Sequence, residues 1–215
     1  MRIFQDRQEA GKRLAWELRD LKGQRPLILG VPAGGALMAA RMRKELGGDL
    51  DVALVGRIRS PVEGGRSLGA LGEGAEEPVW NGRQRLVRPD PEWLLGELND
   101  QRQALAELRA RYTPGRGPLP AEGRTVVVVD EGIETGATMQ AVLRVLRQAG
   151  PARLVAAAAV GLAEGLLQLE GEADRVVALQ SPEAFGSLAQ FFSDFPTVSD
   201  EALVSALRPQ PAAPK

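Results

Sequence analysis

Two residue types that often carry enzyme chemistry are missing from this chain: its 215 residues include no cysteine and no histidine. The lack of cysteine excludes a disulfide framework, a thiolate nucleophile and a zinc–thiolate site. The lack of histidine excludes Ser-His-Asp and Cys-His triads, histidine metal sites and a histidine general base. Proton transfer would therefore fall to aspartate, glutamate, lysine or Tyr112, the only tyrosine.

The chain also lacks a charge excess and a long apolar run. Its formal net charge is -1, so no bulk positive field predicts a nucleic-acid or membrane partner. The first residues are polar and amphipathic, without the apolar centre of a signal peptide, and no apolar run approaches the roughly 20 residues of a membrane span. We therefore expect a cytoplasmic protein. If its ligand is a polyanion, the ligand must be held by local backbone dipoles, a few basic side chains or a metal.

What is present is the composition of an ordinary globular protein, with 44% hydrophobic and 26% charged residues. We expect one domain over residues 1–208 and a disordered tail over 209–215. Helical patterns alternate with predicted strands that read RPLILGVP, DVALVG, TVVVVD, ARLVAAAAVG and DRVVAL. Strands that are apolar throughout are typical of a parallel sheet covered by helices on both faces. The predicted fold class is therefore a doubly wound α/β protein.

One segment does not follow this alternation. Residues 58–82 are rich in glycine and charge, and only SLGAL and PVW within them resemble strands. A long irregular segment inside a compact domain is usually a functional loop or a mobile one.

The most informative stretch is the end of the strand that closes on Asp130. Glu131 follows directly, and the loop from Gly132 to Thr138 then leads into a helix. In doubly wound proteins, ligands bind at the carboxyl ends of strands. The loop amides and the helix N-terminus suit an anion, while paired carboxylates suit ribose hydroxyls or a metal shell. The alternative is a helix cap in a solvated turn.

The stretch VVVVDEGIETGAT resembles the PRPP-binding motif of type I phosphoribosyltransferases, which joins an apolar strand, two acids and a T-G-x-T run. LGVPAGG lies where this family has its pyrophosphate loop, and DVALVGRI where it has its second core strand. The C-terminal SPEAFGSLAQFFSDFPTVSDEAL resembles the end of a bacterial subgroup. The resemblance implies a parallel doubly wound core, a small hood built from the termini, and a flexible loop over residues 59–75.

The resemblance also implies roles for particular residues. Asp130 and Glu131 would hold the ribose 2- and 3-hydroxyls, directly or through water on a Mg²⁺ cofactor. The 5-phosphate would lie against the loop formed by Gly132, Glu134, Thr135, Gly136, Ala137 and Thr138. Pyrophosphate would lie against the backbone amides of Ala33, Gly34 and Gly35, near Gly56 and Arg57.

The implied reaction transfers the ribose 5-phosphate of PRPP to a nitrogenous base and releases pyrophosphate. Glu134 is a candidate general base, because a carboxylate is the first candidate for this role when histidine is lacking; its alternative is a solvated loop position. The candidate catalytic residues are Glu134, Asp130 and Glu131. Two alternatives stay open: a non-catalytic protein that binds PRPP or a nucleoside monophosphate, and an interaction subunit with a vestigial pocket.

Two departures from the subgroup pattern bear on catalysis. The loop reads V-P-A-G-G where V-P-R-G-G is typical, and Gly56-Arg57 stand where an Arg-Lys pair is typical. Losing one charge-assisted hydrogen bond costs about 1.5–3 kcal/mol. Arg59 and Arg66 are candidates to compensate if their loop folds inward. The acceptor base and the oligomeric state stay open, with a homodimer among the alternatives.

Overall fold

The computed structural model describes residues 3–62, 64–65, 67–80, 84–184 and 186–208. In chain order the strands are β1 (Leu27–Gly30), β2 (Asp49–Val52), β3 (Val55–Arg59), β4 (Ser67–Gly72), β5 (Val79–Trp80), β6 (Thr125–Ile133), β7 (Arg153–Gly161) and β8 (Arg175–Gln180). The helices are α1 (Arg7–Glu17), α2 (Gly34–Leu46), α3 (Gln84–Val87), α4 (Pro91–Tyr112), α5 (Ala137–Gln148), α6 (Ala163–Leu167) and α7 (Asp200–Leu207). Within the described ranges, none of these helices has the length and apolar character needed to cross a bilayer.

Five strands form the central sheet, which is parallel throughout and has the order β2-β1-β6-β7-β8. The middle strand, β6, is buried from Val126 to Val129. Val127 and Val129 belong to one core cluster, shared with α1, α2 and α7. Val126 and Val128 belong to a second cluster, shared with α5. Helices therefore cover both faces of the sheet, which confirms the predicted doubly wound α/β fold.

The predicted strand DVALVG is wrong as a single element. Strand β2 ends at Val52, and β3 begins at Val55 in a different sheet. Ala53 and Leu54 make the transition and are both buried. Because Val52, Ala53 and Leu54 are all apolar and buried, the pattern gives no sign of the change of sheet.

The segment predicted as an irregular loop is largely folded. Strands β3, β4 and β5 form an antiparallel sheet, which we call the arm, with a register shift between Ile58 and Arg59. The predicted strand-like pieces SLGAL and PVW correspond to β4 and β5. The arm packs closely on α5, since a methyl group at Gly72 would overlap the Val145 side chain. Residues 63, 66 and 81–83 lie outside the described residues.

A buried ion network attaches the arm to the rest of the fold. Asp51 on β2 is only 1% exposed and accepts from Arg109 of α4 at 2.7 Å and from Arg116 at 3.1 Å. Arg109 also donates to Glu73, the residue after β4, at 2.6 Å. Burial lowers the pKa of Arg109, but its bonds to Glu73 and Asp51 outweigh this and raise the pKa overall. One guanidinium thus joins the central sheet, α4 and the arm.

The start of the described chain pairs with a segment that precedes α7. The amides of Ile3 and Phe4 both donate to the carbonyl of Phe191 at 2.9 Å, and Ser193 donates back to Phe4 at 2.8 Å. The rings of Phe4 and Phe192 lie 5.2 Å apart. Phe191 and Phe192 are therefore packing residues. The predicted tail 209–215 lies outside the described residues.

Candidate functional site

The candidate site forms where the middle strand meets α5. Strand β6 does not end at Asp130 as the sequence predicts: it continues to Ile133, pairing with β7 along its full length. A tight turn follows, and Gly136 takes a left-handed conformation with φ of 74° before α5 begins. A cavity of about 200 Å³ lies here, lined by Asp130, Gly132, Ile133, Glu134, Thr135, Gly136, Ala137, Thr138 and Met139. The structure thus brings together the residues predicted to bind the 5-phosphate.

The turn is held by close backbone packing against α6. A methyl group on Gly136 would lie 2.5 Å from the carbonyl oxygen of Gly165, and one on Gly165 would overlap the backbone of Glu134. The amide of Leu162 donates to the carbonyl of Ile133 at 2.8 Å. Glycine at both positions lets the backbones approach this closely. The shape of the loop is therefore fixed by its contacts with β7 and α6.

The side chains of this loop differ in exposure. Glu134 and Thr135 are exposed, whereas Thr138 is half-buried. The Thr135 hydroxyl accepts from the amide of Ala137 at 3.4 Å. The loop thus offers two threonine hydroxyls and one exposed carboxylate at the rim of the cavity.

Asp130 faces this cavity from a partly buried position. The amide of Glu131 donates to Asp130 Oδ1 at 2.7 Å. Burial raises the pKa of the Asp130 carboxyl to about 7, helped by the charge of Glu131 and opposed by backbone N–H bonds and by Arg57. Near neutral pH the carboxyl is poised between its two forms, and a bound cation would favour the ionised one.

Glu131 lies in different surroundings and is not among the residues that line the cavity. Its Oε1 accepts from Arg7 Nε of α1 at 2.5 Å, and both side chains are mostly buried, at 16% and 9% exposure. The structure therefore separates two carboxylates that the sequence analysis treats as equivalent. The amino-acid pattern missed Arg7, which is 124 residues away in the chain. One signal was available, because an arginine in the first turn of a helix opposes the helix dipole.

The predicted pyrophosphate loop lies against the same strand end. Helix α2 begins at Gly34, so Gly34 and Gly35 are its first residues and Ala33 precedes it. The Pro32–Ala33 peptide bond is cis. A methyl group on Gly34 would overlap the Glu131 carboxylate, and one on Gly35 would overlap the carbonyl oxygen of Val129. The structure thus brings the start of α2 and the acidic pair together.

Arg57 reaches the site from the arm. Its Nη2 donates to the hydroxyl of Thr138, in the loop predicted to hold the 5-phosphate. Burial lowers the pKa of Arg57, as does the charge of Arg59, while Asp130 raises it. The described contact of this arginine is therefore with the phosphate loop, next to Asp130.

The other arm residues explain part of the sequence departures. A methyl group at Gly56 would overlap the side-chain oxygen of Gln101 of α4, so a larger residue here would have to displace that glutamine. Arg59 is exposed and donates to the carbonyl of Gly65, at 3.2 Å within its own hairpin. Arg66 lies outside the described residues. Nothing in the structure explains the alanine at position 33.

Comparison with known proteins agrees with this geometry. Residues 3–195 match the family model described as the phosphoribosyl transferase domain. Two Mycobacterium tuberculosis proteins, from strains CDC 1551 and H37Rv and named provisionally as phosphoribosyl transferases, are 33% identical to this chain over 207 residues. The match covers 96% of this chain and 47% of those proteins, so the chain spans about half the length of these curated relatives.

A solved structure is similar over nearly the whole chain. The crystal structure of TT1426 from Thermus thermophilus superposes with a TM-score of 0.86 and is 39% identical in sequence. The similarity covers 96% of this chain and 98% of that one. The motif-based resemblance is thereby confirmed, and the chain belongs to the phosphoribosyltransferase family.

Proposed function

We propose that this protein transfers the ribose 5-phosphate of PRPP to a nitrogenous base and releases pyrophosphate. The observation that carries the proposal is the cavity at the end of β6, where a partly buried Asp130 faces a preformed loop at the N-terminus of α5. A carboxylate for sugar hydroxyls and a cradle for a phosphate thus lie in one cavity.

The 5-phosphate would be bound by the loop and by the start of α5. Helix N-termini attract anions because their first amides have no partner within the helix. Thr135 and Thr138 would add hydroxyl donors, and Arg57, already on Thr138, would add a positive charge. The amides of Gly136 and Ala137 complete this cradle.

The ribose and the pyrophosphate would extend from the cavity towards α2. Asp130 and Glu131 would accept hydrogen bonds from the ribose hydroxyls. The backbone of Ala33, Gly34 and Gly35 would face the pyrophosphate, and the contact of Glu131 with Gly34 supports this order along the ligand.

Mg²⁺ fits this donor set as an ion bound mainly through the substrate. Within the described residues, no group of three or more acidic side chains gathers around a common point. Mg²⁺ usually keeps several waters and binds through one or two carboxylates plus substrate phosphates. Asp130 would hold it, with Glu131, through water. When bound, the ion would neutralise charge on the departing pyrophosphate.

The reaction itself needs no covalent enzyme intermediate. The base nitrogen would bond to C1 of the ribose while the bond from C1 to the pyrophosphate oxygen breaks, and the electron pair leaves with pyrophosphate. Glu134 would accept the proton from the nitrogen, because its carboxylate is exposed at the cavity rim. The loop would keep the sugar aligned for this displacement.

A second candidate is a protein that binds PRPP or a nucleotide without transferring it. The space at Gly56 is filled by Gln101, and Ala33 carries no charge, so two positions that bear cations in the subgroup pattern bear none here. If pyrophosphate is bound weakly, the protein would still bind the sugar phosphate but would not transfer it to a base.

Pyrophosphate release from PRPP, measured with a panel of purine and pyrimidine bases, distinguishes the two candidates. We expect one class of base to support release, with kcat about 100-fold lower in Glu134→Gln. Glu170→Gln is the matched control, because Glu170 is exposed and outside the cavity. If PRPP binds but no base supports release, the binding candidate replaces the transferase.

A further inference from the structure

Arg7 is a buried arginine that the proposed reaction does not use. It is the first residue of α1 and is 7% exposed. Its Nε pairs with Glu131, and its Nη1 donates to the carbonyl of Pro196 at 2.8 Å. The guanidinium also lies 3.8 Å from the centre of the Phe195 ring. Three fixed contacts therefore determine where this charge lies.

These contacts connect Glu131 to the C-terminal segment, which we define as residues 188–196. Phe195 stacks on Phe192 at 4.6 Å, and the segment is hydrogen-bonded to residues 3–5 next to Arg7. At its other end, Leu188 packs on the backbone of Gly132, where a methyl group would overlap it. The segment thus meets the end of β6 twice, once directly and once through Arg7.

The position of Glu131 depends on this arginine. The carboxylate is mostly buried and packs on the backbone of Gly34 at the start of α2. A buried carboxylate that loses its only close cation becomes strongly unfavourable and turns towards water. Among the described residues, the one ion pair of Glu131 is with Arg7. Removing Arg7 would therefore release the carboxylate from its place between Asp130 and α2.

We propose that Arg7 is a positioning residue: it holds Glu131 where a sugar phosphate presents its vicinal hydroxyls, and it couples that carboxylate to the C-terminal segment. The choice of ligand rests on the proposed function, whereas the coupling rests on the contacts alone. Arg7 itself does not touch the ligand. It acts by fixing one of the two carboxylates that bind the ribose.

Binding of ribose 5-phosphate and of inorganic phosphate, measured by calorimetry, tests the positioning role. Arg7→Met should weaken ribose 5-phosphate binding about tenfold and leave phosphate binding within about twofold, because the phosphate loop is separate from Glu131. Arg7→Lys should recover part of the loss. Lys12→Met is the matched control, because Lys12 is an exposed cation of the same helix. No loss, or an equal loss for both ligands, would overturn the proposal.

Hydrogen exchange without any ligand tests the coupling. Arg7→Met and Glu131→Gln should each speed amide exchange in the C-terminal segment about tenfold or more, and Lys12→Met should not. Unchanged exchange in both variants would overturn the coupling. If the wild-type protein binds neither ligand, the proposed function fails, while the exchange result still decides the role of Arg7. If Arg7→Met does not fold, Arg7→Lys, which keeps the charge, takes its place in these measurements.

Discussion

Asp130 and Glu131 are neighbours in the chain, but their carboxyl groups lie in different surroundings. Glu131 is neutralised by Arg7. Asp130 lies partly buried beside that pair, with its pKa raised to about 7 by burial first and by the charge of Glu131. A dipeptide that reads as one acidic motif thus contains one carboxylate that is ion-paired with Arg7 and one carboxyl whose pKa lies near neutral pH. The second is the one that faces the cavity.

The raised pKa of Asp130 predicts a pH-dependent stability. Its folded pKa of about 7 lies above the ordinary 3.8. Its stabilising contribution is therefore complete below pH 3.8 and is lost as the pH rises through about 7. At about 1.4 kcal/mol per pKa unit, the loss at pH 8 is at most about 4 kcal/mol.

Asp130→Asn removes this ionisation, so it should raise the Tm at pH 8 by several degrees and change it little at pH 4, close to the ordinary pKa of 3.8. Thermal unfolding at both pH values measures the effect. Asp100→Asn, an exposed position on α4, is the control and should change the Tm little at either pH. A pH-independent difference between Asp130→Asn and the wild type would contradict the assignment.

At the scale of elements, the loop before α5 depends on the backbone of α6. Gly136 and Gly74 both have φ of 74°, but only Gly136 lies against another backbone, that of Gly165. A methyl group added at Gly74 would have nothing within 4 Å. The two glycines therefore separate the cost of the left-handed conformation from the cost of close packing.

Gly136→Ala should reduce the free energy of unfolding by about 1–3 kcal/mol more than Gly74→Ala, which bears the conformational cost alone. Urea unfolding of the two variants provides the measurement. Equal losses would mean that the loop does not rest on α6 as described.

The elements also mark how far the sequence predicts this structure. Runs such as Val126–Val129 are apolar throughout, so β6 and the strands beside it were predictable from local pattern. The change of sheet at Ala53 was not predictable in this way, because the residues on both sides of it are buried. The role of Arg7 was not predictable either, because its partners Glu131 and Pro196 come from distant parts of the chain. Tertiary pairing of this kind leaves little trace in local sequence.

At the scale of the whole molecule, the site lies where separate parts of the chain meet the middle strand. Helix α2 brings Gly34, the arm brings Arg57, and the C-terminal segment brings Leu188. The arm is attached by the buried network around Arg109. The 33% identity to proteins of about twice this length shows that the same domain occurs in longer chains.

In the proposed function, the end of β6 binds PRPP through the carboxylates of Asp130 and Glu131. Calorimetric titration of PRPP, with and without Mg²⁺, tests it most directly when the wild type is compared with the double variant Asp130→Asn, Glu131→Gln. We predict saturable binding that strengthens with Mg²⁺ and is lost in the double variant. Binding that survives both substitutions unchanged would contradict the account.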